Sequence, residues 1–276
     1  MVRSSLTSMK YFFAIVCLFV SVGFAQTPAA VEKQMIAQVD IIGKTGTYSG
    51  SYSDDDGAKN TAANEALTKL LVKYGTRTDI LAYSFPLLSK KMSIVTSRDR
   101  KFRIYSWDME TGGTLHDYSS VLQYKGASGS VYTWTSPTTE IDDGEEPSSG
   151  VGSGGYYINL FQIDTPKGPI YLANSFGMYC GVCRNQAIEI ATIEGEKLDR
   201  EPKLIKTAEG LTSEIGFEYA ADSIPEKYRN GFITVNSAAR SFTFPIVIEV
   251  EDANVGRVTS RTITYRFDGT HFVKVK

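Results

Sequence analysis

Two cysteines stand close together as Cys180-Gly-Val-Cys183, which is the spacing found in thiol oxidoreductases. In such enzymes the first thiol lies at the N-terminus of a helix, and the helix lowers the pKa of that thiol. The residues that follow here, 184–193, alternate between polar and apolar side chains, which is typical of a strand. The pair therefore predicts a local disulfide, Cys180 to Cys183, that closes a turn between two strands. Free thiols and redox catalysis are the alternatives.

Metal binding is the second chemistry that the residue types suggest. Asp54-Asp55-Asp56-Gly57 has the composition of a calcium loop. With Gly57 as its sixth residue, however, that loop would begin at Tyr52 and end at Ala63, which are not ligands. A zinc site needs four ligands, and the histidines His116 and His271 lie far apart in the sequence. We therefore expect a solvated loop at 54–57, no metal site and no cofactor.

Acid–base chemistry would centre on His116, which is followed directly by Asp117. A serine nucleophile would need the Gly-x-Ser-x-Gly turn, which surrounds no serine of this chain. Adjacent His and Asp side chains also do not easily make the orienting contact of a catalytic triad. The paired carboxylates of glycoside hydrolases lie far apart in sequence, so a hydrolase with such carboxylates stays open as an alternative.

Ligand binding is the chemistry that the segment from Tyr105 to His116 favours. Trp107, Asp108 and His116 would surround a bend at Gly112-Gly113 and offer an apolar plate, a hydrogen-bond acceptor and a titratable donor. We expect this bend to border a pocket, and we predict these binding residues: Tyr105, Trp107, Asp108 and His116. Tyr105 and Trp107 lie two residues apart and share one face of a strand. The competing interpretation is that this face is core and that Asp108 caps the turn.

Hydrophobic periodicity predicts the helix that precedes the strands. Four apolar residues recur at spacings of three and four before Gly75: Leu67, Leu70, Leu71 and Tyr74. This spacing predicts a helix over 60–74 within an N-terminal segment that spans 26–91. Before this helix, residues 34–42 fit a short helix or strand, and residues 43–57 are typical of a loop.

From residue 92 to residue 276, short runs of β-branched and aromatic residues separated by polar or glycine turns predict a β-rich domain. Asp268-Gly269 between two such runs is a strong hairpin signal. We therefore expect a mainly β fold of antiparallel sheets built from successive hairpins, with an N-terminal helical element. The sheets would form a sandwich, a partial barrel or a propeller. Residues 136–155 are acidic and then rich in Gly and Ser, which predicts a mobile loop.

One stretch of the sequence resembles a known group of proteins. It comprises Ser97, Asp99, Lys101, Arg103-Ile104-Tyr105-Ser106-Trp107-Asp108, Thr111, Gly112, Gly113 and His116. This pattern resembles uncharacterised secreted proteins of Gram-negative bacteria, and residues 265–272 are similar to the ending of those proteins. The resemblance implies a signal peptide and an exported β-rich domain, and it brings no established activity.

Residues 1–25 have the parts of a secretory signal peptide. Arg3 and Lys10 supply the positive charge, 11–24 is an uncharged apolar run, and Gly23-Phe24-Ala25 places small residues before Gln26. Because this run is short for a membrane-spanning helix, we expect no stable membrane span after cleavage. The mature protein would be periplasmic or secreted, in a compartment where disulfides persist.

The composition narrows the classes of function. The 276 residues carry a net charge of −2, with 42% hydrophobic and 22% charged residues, which is typical of a folded domain. Because there is no basic stripe, nucleic acid is not an expected partner. We predict an exported, non-catalytic β-rich protein that binds an extracytoplasmic protein or a glycan. The alternative is an extracytoplasmic hydrolase whose acidic catalytic residues the sequence does not reveal.

The signal peptide gives a direct prediction. The mature chain should begin at or near Gln26, because Gly23 and Ala25 satisfy the small-residue requirement of signal peptidase. N-terminal sequencing of the exported protein measures this, and an exported chain that starts at Met1 contradicts it.

Overall fold

The structure is a computed structural model, and it describes residues 26–47, 53–112, 116–135, 150–228, 232–249 and 255–275. The predicted signal peptide, 1–25, lies outside the described residues. So does the larger part of the predicted mobile loop, since the description resumes at Gly150.

Three α-helices form the N-terminal part of the described chain: α1 (Pro28–Thr45), α2 (Asp54–Gly75) and α3 (Thr78–Ala82). The Thr27 side chain caps α1, and the Ser53 side chain accepts from the Asp56 amide at the start of α2. The three aspartates of 54–56 stabilise that first turn, because negative charge is favourable at a helix N-terminus. Helix α2 thus begins before the predicted residue 60, and the prediction of a loop at 54–57 is wrong.

The strands of the described residues form three sheets. The first sheet has the order β1-β2-β3-β4, with β1 (Ser93–Thr96), β2 (Phe102–Asp108), β3 (Tyr118–Lys125) and β4 (Val131–Thr135). The second sheet has the order β11-β7-β6-β5, with β5 (Tyr156–Thr165), β6 (Gly168–Met178), β7 (Cys183–Glu194) and β11 (Glu214–Ala220). The short strand β8 (Lys197–Asp199) pairs with β7.

The third sheet has the order β10-β9-β15-β14-β13-β12. Its strands are β9 (Ile205–Lys206), β10 (Leu211–Thr212), β12 (Thr234–Asn236), β13 (Ser241–Ile248), β14 (Arg257–Phe267) and β15 (Phe272–Lys274). The pairing is antiparallel except between β9 and β15, which run parallel. The mainly β fold with an N-terminal helical element is therefore confirmed.

Three hydrophobic cores hold these layers together. The helices pack against one face of the first sheet through Val31, Met35, Leu67, Leu71, Tyr105, Trp107 and Val121. The other face of that sheet packs on the second sheet through Phe102, Ile104, Leu122, Tyr157, Tyr171 and Ala173. The second and third sheets share Leu172, Ile188, Ile190, Phe242, Tyr265 and Phe272. The described sheets are stacked as in a sandwich and do not close into a barrel.

Trp107 belongs to the core between the helices and the first sheet. Its side chain is 2% exposed, and its indole Nε1 donates to Asn64 Oδ1 of α2 at 2.8 Å. Asn64 Nδ2 donates in turn to the Met109 carbonyl at 3.0 Å. Helix α2 is thereby fixed to the end of β2 by a buried hydrogen-bonded link as well as by apolar contact.

Replacing this indole should therefore unfold the protein more easily. We expect Trp107→Ala to lower the free energy of unfolding by about 3–5 kcal/mol, because it leaves a cavity and an unpaired Asn64 oxygen. Denaturant titration followed by circular dichroism measures the loss. Trp107→Phe is the matched variant: it keeps most of the volume and should lose less. A Trp107→Ala protein as stable as wild type contradicts the core position.

Candidate functional site

The structure brings two of the predicted binding residues into contact. Asp108 Oδ2, at the end of β2, contacts His116 Nδ1, and the His116 ring stacks on Tyr118 with centroids 6.0 Å apart. The His116 amide donates to the Met178 carbonyl at the end of β6, at 3.0 Å. Asp108 Oδ1 also accepts from the Glu110 amide at 2.8 Å, so Asp108 caps the turn as well.

The other two predicted residues lie elsewhere. Tyr105 and Trp107 are buried under the helices, and the Tyr105 hydroxyl donates to Gln123 Oε1 at 2.8 Å. Burial raises the pKa of Tyr105, which is consistent with a neutral hydroxyl in the core. They share one strand face, as predicted, but the structure turns that face toward α2 and not toward solvent. Gly113 of the predicted bend lies outside the described residues.

A cleft of about 510 Å³ lies on one face of the second sheet. Its lining includes Ser175 of β6, Glu189 of β7 and Glu214 of β11. Glu189 and Glu214 are direct partners in the antiparallel pair of β7 and β11, so their side chains lie on the same face. The cleft therefore holds two neighbouring carboxyl groups, and we call it the acidic cleft.

Glu189 is the buried member of this pair and has two hydrogen-bond donors. Ser175 Oγ donates to Glu189 Oε1 at 2.5 Å, and the Tyr157 hydroxyl donates to Glu189 Oε2 at 2.8 Å. The Tyr157 hydroxyl in turn accepts from the Gly152 amide at 2.6 Å. Burial raises the pKa of Glu189 to about 7, and the neighbouring Glu214 adds to that effect. Glu189 can therefore carry or release a proton near neutral pH.

A second cavity, of about 610 Å³, borders the same sheet and shares Phe176 and Gln186 with the first, and we call it the aromatic cup. Its lining residues are Ile158, Asn159, Phe176, Gln186, Tyr219, Ala221, Asp222, Ile224, Tyr228 and Phe232. The Tyr219 and Phe232 rings contact each other with centroids 4.7 Å apart, and Tyr228 stacks on Phe232 at 5.9 Å. Aromatic contacts of this kind fix the shape of a binding surface.

The floor of the aromatic cup contains a buried polar group that lacks a partner. Gln186 is 3% exposed, and its Nε2 donates to the side-chain amide oxygen of Asn174. Gln186 Oε1 has no hydrogen-bond partner in the structure. A buried, unpaired amide oxygen destabilises a fold by about 1–3 kcal/mol. Its presence beneath a cavity therefore indicates a place where a ligand could supply the missing hydrogen-bond donor.

Two local features of the backbone shape the aromatic cup. A β-bulge in β5 between Tyr157 and Asn159 lets the consecutive residues Ile158 and Asn159 both line it, whereas residues of a regular strand alternate. On the opposite side, the wall begins at a short 3₁₀ helix, Ala221–Ser223, whose Ala221 amide donates to the Val182 carbonyl at 2.9 Å.

Val182 lies inside the loop that the two cysteines close. The structure joins Cys180 and Cys183 in a disulfide, with 2.02 Å between the sulfur atoms, as the sequence predicts. Arg184 Nη1 donates to the carbonyls of Cys180 and Cys183 at 3.1 and 2.9 Å. The disulfide loop thus supports the wall of the aromatic cup, and no helix begins at either cysteine to activate a thiol.

Sequence reasoning missed the cavity residues for an identifiable reason. Gln186 and Glu189 stand in β7 among apolar residues such as Ile188, and strand alternation places these two polar residues on opposite faces, so they do not mark one functional surface. The sequence signal that could have identified these cavity residues was the presence of two polar residues in a strand whose two faces are otherwise apolar. That signal does not tell which neighbouring sheet covers them.

Comparison of the chain with protein-family models, with curated proteins and with solved structures finds no match. In the described ranges, no group of three or more His, Cys, Asp and Glu side chains is placed to hold a metal ion. The helices of those ranges also include none with the length and apolar character needed to cross a membrane. The two cavities are the features of the described residues whose chemistry suits binding or catalysis.

The burial of Glu189 predicts a pH dependence of stability. Because the folded-state pKa, about 7, is above the ordinary 4.5, ionisation destabilises the folded state as pH rises through this interval. Glu189→Gln should therefore gain stability relative to wild type between pH 5 and pH 8, by up to about 3 kcal/mol.

Urea titrations across that pH range measure the difference. Glu209→Gln, which removes an exposed carboxylate from the same chain, is the control for a change of net charge. A constant difference between Glu189→Gln and wild type from pH 5 to pH 8 would show that Glu189 does not titrate in this interval.

Proposed function

We propose that this chain is an exported, non-catalytic protein of the cell envelope or the extracellular space, and that it binds its ligand in the aromatic cup. The observation that carries the proposal is the cup itself: four aromatic side chains around a floor that contains the unpaired Gln186 oxygen. These side chains are Phe176, Tyr219, Tyr228 and Phe232. Ligand sites of proteins are typically concave and largely apolar, with a few placed polar groups.

The size and support of the aromatic cup favour binding. Its volume lies within the range of about 300–1,000 Å³ that is usual for small-molecule sites. Its wall is held on one side by the disulfide loop and on the other by β14, since the Val258 amide donates to Ser223 Oγ at 3.2 Å. A wall held in this way is ordered before a ligand arrives, which reduces the entropy cost of binding.

Two features of the sequence support the proposed location. The segment 1–25 has the parts of a signal peptide, and a disulfide between Cys180 and Cys183 suits an oxidising compartment. We place the ligand in the aromatic cup and not in the predicted site around Trp107, because the Trp107 side chain is enclosed by the helices.

A binding screen tests the proposal. We expect at least one compound from a panel of sugars, amino acids, nucleosides and amphiphiles to bind the mature protein saturably, without being converted. Phe176→Ala and Asn159→Ala should each weaken that binding at least tenfold, because Phe176 is a half-buried ring shared by the two cavities and Asn159 is an exposed residue of the cup. Isothermal titration calorimetry measures affinity, and mass spectrometry of the recovered compound detects conversion.

Tyr132→Ala is the matched control, since Tyr132 is an aromatic residue of the first sheet whose hydroxyl donates to Glu196 at 2.8 Å. It should leave binding unchanged. Binding that persists unaltered in Phe176→Ala, or a panel without any saturable binder, overturns the aromatic cup as the site.

One observation favours a second function, hydrolysis in the acidic cleft. A carboxyl group whose pKa is about 7 beside another carboxylate is the pairing that a general acid and its partner use. In this alternative, Glu189 would donate a proton to a leaving group, and Glu214 would act as the base or nucleophile.

The alternative has its own test. Nitrophenyl glycosides and nitrophenyl esters are incubated with wild type, Glu189→Gln and Glu214→Gln, and release of nitrophenol is followed. Turnover by wild type that both variants abolish while staying folded establishes the hydrolase and contradicts the non-catalytic proposal. Equal background release by the three proteins rejects the hydrolase for these substrate classes.

A further inference from the structure

The aromatic cup combines ring faces with a set of polar groups that an apolar ligand would leave without partners. We infer, on the basis of the proposed function, that its ligand is a carbohydrate that presents a pyranose ring. The inference depends on three properties of the cup: an available ring face, the polar residues of the lining, and the unpaired Gln186 oxygen in the floor.

A pyranose ring has one face that consists mainly of C–H groups and an edge that carries hydroxyl groups. The C–H face needs a flat apolar partner, which an aromatic ring supplies. Phe176 is half-buried, so part of its ring remains exposed, whereas Tyr219 and Phe232 are buried and support the cup from beneath. The contacts between Tyr228 and Phe232, and between Phe232 and Tyr219, hold these rings in place.

The hydroxyl edge needs both donors and acceptors. Asn159 and Asp222 are exposed residues of the lining and offer an amide and a carboxylate to such an edge. A hydroxyl group both donates and accepts, so it can satisfy either end of an amide. An alkyl chain in the same place would remove these groups from water without replacing their hydrogen bonds, which is unfavourable.

Gln186 gives the inference its most specific element. One end of its amide binds Asn174, and the other end, Oε1, has no partner beneath the lining. A small adjustment of this side chain would let a ligand hydroxyl donate to Oε1 and relieve the cost of its burial. Gln186 is therefore a binding residue that is unfavourable for folding on its own, and these opposite effects can be measured separately.

Calorimetric titration with maltotetraose, cellotetraose and chitotetraose tests the inference, with octanoate and indole as comparison ligands that are about the size of one pyranose unit and lack vicinal hydroxyls. We expect at least one tetrasaccharide to bind saturably, and neither comparison ligand to bind. Phe176→Ala and Gln186→Leu should each weaken binding at least tenfold. Gln186→Leu should nevertheless melt close to the wild-type temperature, because it removes the unpaired Oε1 but also removes the donor to the buried Asn174 side chain, and these two effects oppose each other.

Further variants keep the result interpretable. Asn159→Ala changes an exposed residue and should weaken binding even if Gln186→Leu fails to fold. Tyr132→Ala, on the first sheet, should bind as wild type does. A Gln186→Leu protein that loses stability and keeps its affinity would make Gln186 a structural residue and overturn its role.

The outcomes separate this inference from the function on which it rests. Binding of octanoate or indole that Phe176→Ala abolishes, with no tetrasaccharide bound, overturns the carbohydrate class and leaves a binding protein. Tetrasaccharide binding that is unchanged in both Phe176→Ala and Asn159→Ala places the sugar elsewhere and overturns the cup. If none of the five compounds binds, the carbohydrate inference fails, and the broader panel described above decides the proposed function separately.

Discussion

The second sheet is buried on both faces, and the rest of the described structure depends on this constraint. In β6 the odd-numbered Tyr171 and Ala173 pack toward the first sheet, while Ile170 and Leu172 pack toward the third. A strand of this kind has no solvent side on which polar residues are harmless. Each polar residue in the centre of the second sheet therefore needs a hydrogen-bond partner, or it lies beyond the edge of the sheet that packs over it.

The two cavities lie where the neighbouring sheets no longer cover the second sheet. Strand β7 contributes Glu189 to the acidic cleft, and it contributes Gln186 to the lining of both cavities. Glu189 has satisfied its hydrogen bonds through Ser175 and Tyr157, whereas one end of the Gln186 amide has not. This difference is the physical reason to assign ligand binding to the cup and to treat the cleft as a second candidate.

Residue spacing in the sequence predicted the helices and strands better than it predicted how they pack on one another. The apolar spacing around Leu67 and Leu71 identified α2, because a helix with one buried face repeats every three to four residues. The start of α2 was missed, since three aspartates in a row are typical of a loop and equally suitable for a helix N-terminus. The strand face of Tyr105 and Trp107 was recognised, but its partner was not, because α2 lies more than thirty residues earlier in the chain.

The parallel pairing of β15 with β9 has a consequence for how the chain folds. Strand β15, Phe272–Lys274, lies between β9 and β14, so it joins the two parts of the third sheet. During synthesis from the N-terminus, the helices and the first two sheets emerge well before this joining strand does. Contacts between such distant segments form slowly, and exposed strand edges are prone to misassembly in the meantime. The third sheet is therefore complete only when the last few residues of the described chain pair with both β9 and β14.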